Sequence, residues 1–524
     1  MTSPNETNEE PSAQAVFPPV DSEAWRQRVD KELKGARFDD TLVHRTREGL
    51  TIQPLYTRAS LPSGFDPAAR PGQAPFVRGA RTAGGWQVAQ TIRQPRVGEA
   101  ASAIGADQER GVELFWLYFA GSDRSRRGIE ASSVDDVAVL QQALTEDRSV
   151  ILQGGDSALS RAAVWVAAAR RSGLELGLLR GNWGCDPLAR LATFGRLAGS
   201  LEQAFRQQAD LLAWTLQEAP AMRSALVSLR PYHEAGCTPA QELAFALATG
   251  AETLRRLSAA GLAIERIAGQ VDFAFCVGRD LFTEIAKLRA ARLLWTKVLH
   301  AWGCGDRART TKIHALTSPL EASQIDPWSN LLRVGAQGFA AALGNVDSLV
   351  LAAFDEAAGS TDAAGRRLAV SGQHVLAEEA ALGRVADPAG GSWYIESLTD
   401  TLARAAWQLF REIEECGGMA QGLMDGGVAR RVEKSAAQLR QDVDHRRTPI
   451  VGTSGFANLA ETVQSSGRSQ EAGEEAGGRN EPAADSSHPL HRVATDSGNL
   501  GDLMQAAIEA ADSGTESVTL ASAL

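Results

Sequence analysis

Residues 271–303 read VDFAFCVGRDLFTEIAKLRAARLLWTKVLHAWG. Over the first seven positions Val271, Phe273, Phe275 and Val277 alternate with Asp272, Ala274 and Cys276. A period of two marks a strand. Gly278 interrupts it. Leu281, Phe282, Ile285, Leu288, Ala291, Leu294, Trp295, Val298 and Trp302 then recur at spacings of three and four, which gathers them on one broad helical face. Arg279, Asp280, Glu284, Lys287, Arg289 and Arg292 crowd the first half of that helix. Strand, tight turn and long helix make one βα unit.

The same unit recurs outward in both directions. The pattern predicts strands near 112–119, 149–153, 174–180, 225–232, 310–316 and 347–353, with apolar-striped helices such as 156–171 and 239–260 between them. An eighth strand is expected near 374–382. That count predicts an α/β chain folded as a (β/α)₈ barrel. Neither GxGxxG nor a Walker loop occurs, so a phosphate cradle of those types is not expected.

The ends read differently. Residues 1–16 are too polar to offset the entropy of ordering and are expected to be disordered. An N-terminal extension spans 17–92. In it Trp25, Val29 and Leu33 share a helical face that Gly35 stops, and 42–57 reads as a hairpin. The barrel domain is expected over 93–463. Residues 464–498, rich in Gly, Ser, Glu and Pro, read as a disordered linker. The last stretch, 499–524, carries a connector helix around Leu500–Ala511. The 524 residues hold 44% hydrophobic and 22% charged positions, with a net charge of −11. That balance suits a soluble globular chain and argues against nucleic acid as the main partner. Arg124, Arg126 and Arg127 read as a solvated loop. No apolar run reaches membrane-spanning length, so no membrane association is expected. Five dispersed cysteines without a CxxC pair point to a reducing, cytoplasmic setting.

Three separated stretches carry a resemblance: RDLFTEIAKLRAARLLW (279–295), DPAGGSWYIE (387–396) and RTPIVGTSGFANL (447–459). They resemble the methylmalonyl-CoA mutase family of adenosylcobalamin-dependent acyl-CoA mutases, and most of all its small, non-catalytic subunits. The resemblance implies a TIM-type barrel with CoA threaded along its axis. It also implies cobalt held by the His of a D-x-H-x-x-G motif in a separate α/β domain. No D-x-H occurs here, so adenosylcobalamin is expected on a partner chain and none on this one. No intact cobalamin-binding domain is expected, and no metal site. The expected partner is the catalytic large subunit, in a heterodimer that takes the acyl-CoA substrate and serves propionate metabolism.

Several positions depart from the catalytic pattern that the resemblance implies. No tyrosine aligns within 74–92. Where catalytic chains carry Tyr-His two residues before Glu-Ala-Gly, this chain has Arg230-Pro231, and its own Tyr232-His233 is shifted by two. On a strand, such a shift keeps the facing and moves the side chain about 7 Å. His233 and Tyr232 are therefore the candidate catalytic residues, weighed against a structural histidine at the barrel rim. His314, Thr317 and Ser318 match a substrate-contacting segment in which Leu316 replaces a glutamine; they are the candidate substrate-binding residues, weighed against framework roles. Asn182 and Asp186 read as turn and N-cap groups, Ser397 or Thr399 as a helix cap, and Asp355-Glu356 and Glu378-Glu379 as solvated helix ends. The sum is a non-catalytic partner that stabilises the catalytic chain. The alternative is the barrel chain of a split mutase that pairs with a separate cobalamin-binding chain.

Overall fold

The computed structural model describes residues 20–66, 68–123, 127–145, 147–154, 158–305, 311–359, 361–457 and 499–523. The expectations for 1–16, for 464–498 and for Arg124 and Arg126 lie outside these residues. The chain divides into two compact units, one up to Ala59 and one from Ser60 onward. The first holds a helix, Ser22–Glu32, capped by Asp21, and a short antiparallel hairpin that pairs His44 with Ile52. Trp25 meets Phe38 edge to face at 6.0 Å. The helix has no fully buried residue.

The second unit is a closed barrel of eight parallel strands: β1 (Gln87–Ile92), β2 (Leu114–Tyr118), β3 (Ser149–Gln153), β4 (Gly181–Cys185), β5 (Met222–Ser228), β6 (Val271–Val277), β7 (Lys312–Thr317) and β8 (Ser348–Val350). Each strand pairs with the next, and β8 closes on β1 through Leu349 opposite Val88. The main helices are α1 (Val97–Glu109), α2 (Val134–Gln142), α3 (Ala158–Arg171), α4 (Leu201–Glu218), α5 (Pro239–Ala259), α6 (Leu281–Ala301), α7 (Trp328–Leu343), α8 (Ala363–His374), α9 (Trp393–Glu415), α10 (Gly427–Asp444) and α11 (Asp502–Asp512).

The strand that opened the reading does as its alternation requires. Phe273 leaves the barrel outward and packs edge-on against Trp295 of α6, 5.0 Å between centroids. Ala274 points inward, into a cluster with Trp116, Leu226, Leu316 and Val350.

Three strand expectations need correction. The eighth strand is not 374–382, which continues α8 as a π-helical turn over Val375–Glu379; it is Gln87–Ile92, inside the span assigned to the N-terminal extension. The strand expected at 174–180 lies at 181–185. Its sequence GNWGC reads as a turn, yet both glycines are there because strand β3 crowds them. A Cβ on Gly181 or Gly184 would lie 1.7 Å from the carbonyl oxygen of Val150 or Leu152, and close backbone approach is a reason for glycine inside a strand. The strand expected at 225–232 ends at Ser228, and Arg230–Glu234 is a short helix.

Helix α6 buries its charges rather than presenting them to solvent. Lys287, Arg289 and Arg292 are all at or below 2% exposed. Arg289 bridges Asp387 and Glu396, the latter at 2.7 Å. Arg292 donates to the carbonyls of Gly344, at 2.8 Å, and Asn345. Burial pulls the Arg292 guanidinium down to about 10. The DPAGGSWYIE stretch is thus the counter-charge of this helix. Its cap is Ser392, which accepts from the Ile395 N–H, not Ser397 or Thr399.

The helix expected around Leu500–Ala511 is α11. Leu503, Met504, Ala507, Ile508 and Ala511 are buried in the core cluster that also holds Trp165 of α3 and Trp214 of α4. Asp210 of α4 accepts the N–H groups of Gly501, Leu503 and Met504. That carboxylate takes up three of the donors a helix N-terminus leaves free.

Candidate functional site

The interior of the barrel is packed. Leu114, Trp116, Tyr118, Ile151, Leu226 and Leu316 belong to one buried cluster between the strands. Beside it lies a polar knot. Asp272 receives Asn182 Nδ2 at 2.9 Å and Arg223 Nη1 at 2.5 Å, and it faces His314 Nε2 at 3.5 Å. His314 Nδ1 bonds Ser348 Oγ at 2.7 Å, and its ring stands edge-on to Trp116 at 5.8 Å. Burial raises the Asp272 carboxyl, but Arg223 and His314 outweigh it and hold the group well below the usual carboxylate range. Asn182 is therefore a bore residue, not a turn residue. Asp186 does cap a helix, accepting from the Ala189 N–H at 2.9 Å.

At the C-terminal rim a second network converges from five elements. His233 sits on the short helix after β5, so the idea of a shifted strand residue does not apply. Its Nε2 lies 2.7 Å from Ser318 Oγ, just past β7, and its Nδ1 lies 3.3 Å from Glu242 Oε2 on α5. Lys287 Nζ on α6 reaches Glu242 Oε2 at 2.8 Å, Glu284 Oε2 at 2.6 Å and the Cys276 carbonyl at 2.7 Å. The Cys276 N–H donates to Glu242 Oε1 at 3.2 Å. Burial raises Glu242, yet Lys287 and His233 leave it net lowered. Burial raises Glu284, which Lys287 only partly offsets. Burial would neutralise Lys287; the two carboxylates keep it charged and raise its pKa.

A third contact set lies beside it. Tyr118 Oη accepts from Arg230 Nη1 at 3.1 Å, and Arg93 lies over the Tyr118 ring at 3.4 Å. Arg230 also pairs with Glu234 at 2.5 Å. Arg230, the residue in place of the expected tyrosine, thus reaches across to Tyr118 at the mouth.

The five candidates separate. His233 and Ser318 are brought into contact. Tyr232 turns away: it is buried against Phe245 of α5, 5.2 Å between centroids. His314 lies in the bore knot. Thr317 Oγ1 accepts the Ala352 N–H at 2.8 Å, tying β7 to the segment after β8. Sequence reading missed Glu242, Lys287, Asp272 and Arg223. The one signal for them was charge inside otherwise apolar strand and helix patterns.

Fold and rim together define a (β/α)₈ barrel protein with a filled axis and charged groups buried at its C-terminal end. The model of one family, methylmalonyl-CoA mutase, matches residues 45–517. The chain is 36% identical over 463 residues to the methylmalonyl-CoA mutase small subunit of Streptomyces virginiae, covering 86% of this chain and 72% of that one. It is 31% identical over 460 residues to the small subunit of Porphyromonas gingivalis, covering 85% and 71%. Against the large subunit of Streptomyces virginiae the identity is 32% over 464 residues, covering 84% and 62%. The chain belongs to the methylmalonyl-CoA mutase family, a family of cobalamin-dependent isomerases.

His233 has both ring nitrogens hydrogen-bonded within the protein, whereas His314 bonds Ser348 through Nδ1 and leaves Nε2 facing Asp272 at 3.5 Å. Among the described residues no three His, Cys, Asp or Glu side chains form a metal-type group. Among them, too, no helix is long and apolar enough to cross a membrane.

Proposed function

We propose that this chain is the small subunit of a methylmalonyl-CoA mutase, a non-catalytic partner that stabilises the catalytic large subunit during methylmalonyl-CoA/succinyl-CoA isomerisation. The observation that carries this reading is the filled bore. Where the family resemblance calls for CoA along the axis, Trp116, Ile151, Leu226 and Leu316 occupy it. The same packing argues against the split-mutase alternative, which needs room for the acyl-CoA in this chain. Adenosylcobalamin belongs on the partner in this reading.

The first unit supports a partner contact. Its helix keeps Trp25, Val29 and Leu33 only half-buried, an apolar stripe suited to another chain. None of the five cysteines forms a disulfide, in keeping with a reducing cytoplasm. The test is co-expression with a large subunit carrying D-x-H-x-x-G. A stable one-to-one complex is expected, with turnover unchanged by His233→Ala or Ser318→Ala. Failure to associate, or turnover abolished by His233→Ala, overturns the reading.

A further inference from the structure

The contact between His233 and Ser318 does more than fill the rim. Ser318 Oγ, His233 Nε2, His233 Nδ1 and Glu242 Oε2 follow one another in a single contact chain, with separations of 2.7 and 3.3 Å. That is the order of a nucleophile, a general base and an orienting carboxylate. The carboxylate cannot swing away. Its Oε1 accepts the Cys276 N–H and its Oε2 accepts Lys287 Nζ. An ionised Glu242 requires the proton on His233 Nδ1. The Nε2 lone pair then faces the Ser318 hydroxyl, which is the tautomer a base needs. The three residues lie 9, 76 and 85 positions apart in pairs, on elements with no local reason to meet, and all stand at the C-terminal end of the strands, the end where barrel proteins carry their chemistry.

The geometry points to Ser318 as an acylatable nucleophile with His233 as its base and Glu242 as a positioning residue. The substrate class is a small activated acyl ester or thioester. Ser318 is 4% and His233 9% exposed, which restricts the substrate to a short acyl group. In the first step Ser318 Oγ attacks the acyl carbon and its proton passes to His233 Nε2. The bond to the leaving alkoxide or thiolate breaks, and that group takes the proton from His233. In the second step water attacks the seryl ester and gives its proton to His233. The acid departs, and Ser318 recovers the proton. The sum is ester or thioester plus water giving acid plus alcohol or thiol, with no oxidant or reductant. This is hydrolysis, not isomerisation, and it does not depend on the small-subunit reading.

The test uses the full chain and a small alkyl fluorophosphonate, with adducts mapped by peptide mass spectrometry. An adduct on Ser318 is expected, absent in Ser318→Ala and formed at least tenfold more slowly in His233→Ala, within the range a general base contributes. No adduct at Ser318, or an equal rate in His233→Ala, overturns the proposal. Ser318→Cys guards against a misfolded His233 variant. At pH 7, iodoacetamide is expected to alkylate position 318 at least tenfold faster than Cys416, the one exposed thiol of the five. Alkylation at position 318 no faster than at Cys416 also overturns it.

Discussion

The bore and the rim both bury charge, and they do so with opposite balance. In the bore one carboxylate, Asp272, meets Arg223, Asn182 and His314. Donors outnumber acceptors and the carboxyl is held low. At the rim two carboxylates, Glu242 and Glu284, share one ammonium, Lys287. There the carboxylates split: Glu242 is lowered and Glu284 is raised. A buried ion cluster is therefore not one kind of object. The bore knot is stable because its anion is saturated, and the rim keeps an acceptor in surplus.

The largest test of this contrast is Lys287→Met. It leaves Glu242 and Glu284 buried without their cation, and unpairing a buried ion costs about 3–5 kcal/mol. Urea unfolding at pH 7 measures it; a loss below about 1 kcal/mol means that the rim carboxylates are already neutral. Trp116→Ala probes the apolar side of the bore. A Trp-to-Ala cavity costs about 3–5 kcal/mol, and the same titration reads it. A smaller loss means that water or neighbouring side chains refill the bore.

Asp272→Asn is expected to cost somewhat less, about 2–3 kcal/mol, because Arg223 and His314 keep a neutral acceptor. Its pH signature separates bore from rim. A carboxyl with a depressed folded pKa stabilises above its unfolded value and loses that contribution as pH falls through the folded value. Thermal melts of the native chain should therefore fall toward acid, and Asp272→Asn should flatten that limb.

Glu284→Gln is the smallest and has the opposite sign. With its folded pKa raised, the Glu284 contribution is full below the ordinary carboxylate value and is lost as pH rises toward the folded one. The substitution should raise stability by about 1 kcal/mol at pH 8 and by little at pH 4. A uniform loss at both pH values means that the Lys287–Glu284 pair matters more than the surplus charge.

Much of the barrel was legible because parallel strands with two buried faces leave strong apolar patterns, as in β2, β3 and β6. β1 was not. QVAQTI carries Gln90, buried with its amide toward the Arg366 carbonyl at 3.5 Å, and a long-range partner of that kind leaves no local trace. β4 hid because its two glycines answer to β3 and not to their own neighbours. VLAEEAAL showed apolar residues at spacings that a strand or a helix accepts, and the continuation of α8 decided for helix. The candidate site was legible as residue types but not as a constellation. His233 and Ser318 stood out, whereas Glu242 and Lys287 showed only as charges within helix patterns. Only barrel closure, which brings β5, β6 and β7 side by side, sets them in one network.

The anchoring of α11 has a consequence of its own. Because Asp210 accepts three N–H groups at the start of α11 and the α3–α4 surface buries its apolar face, removing this helix would uncover the core around Trp165 and Trp214, so α11 acts as a strut of the barrel unit.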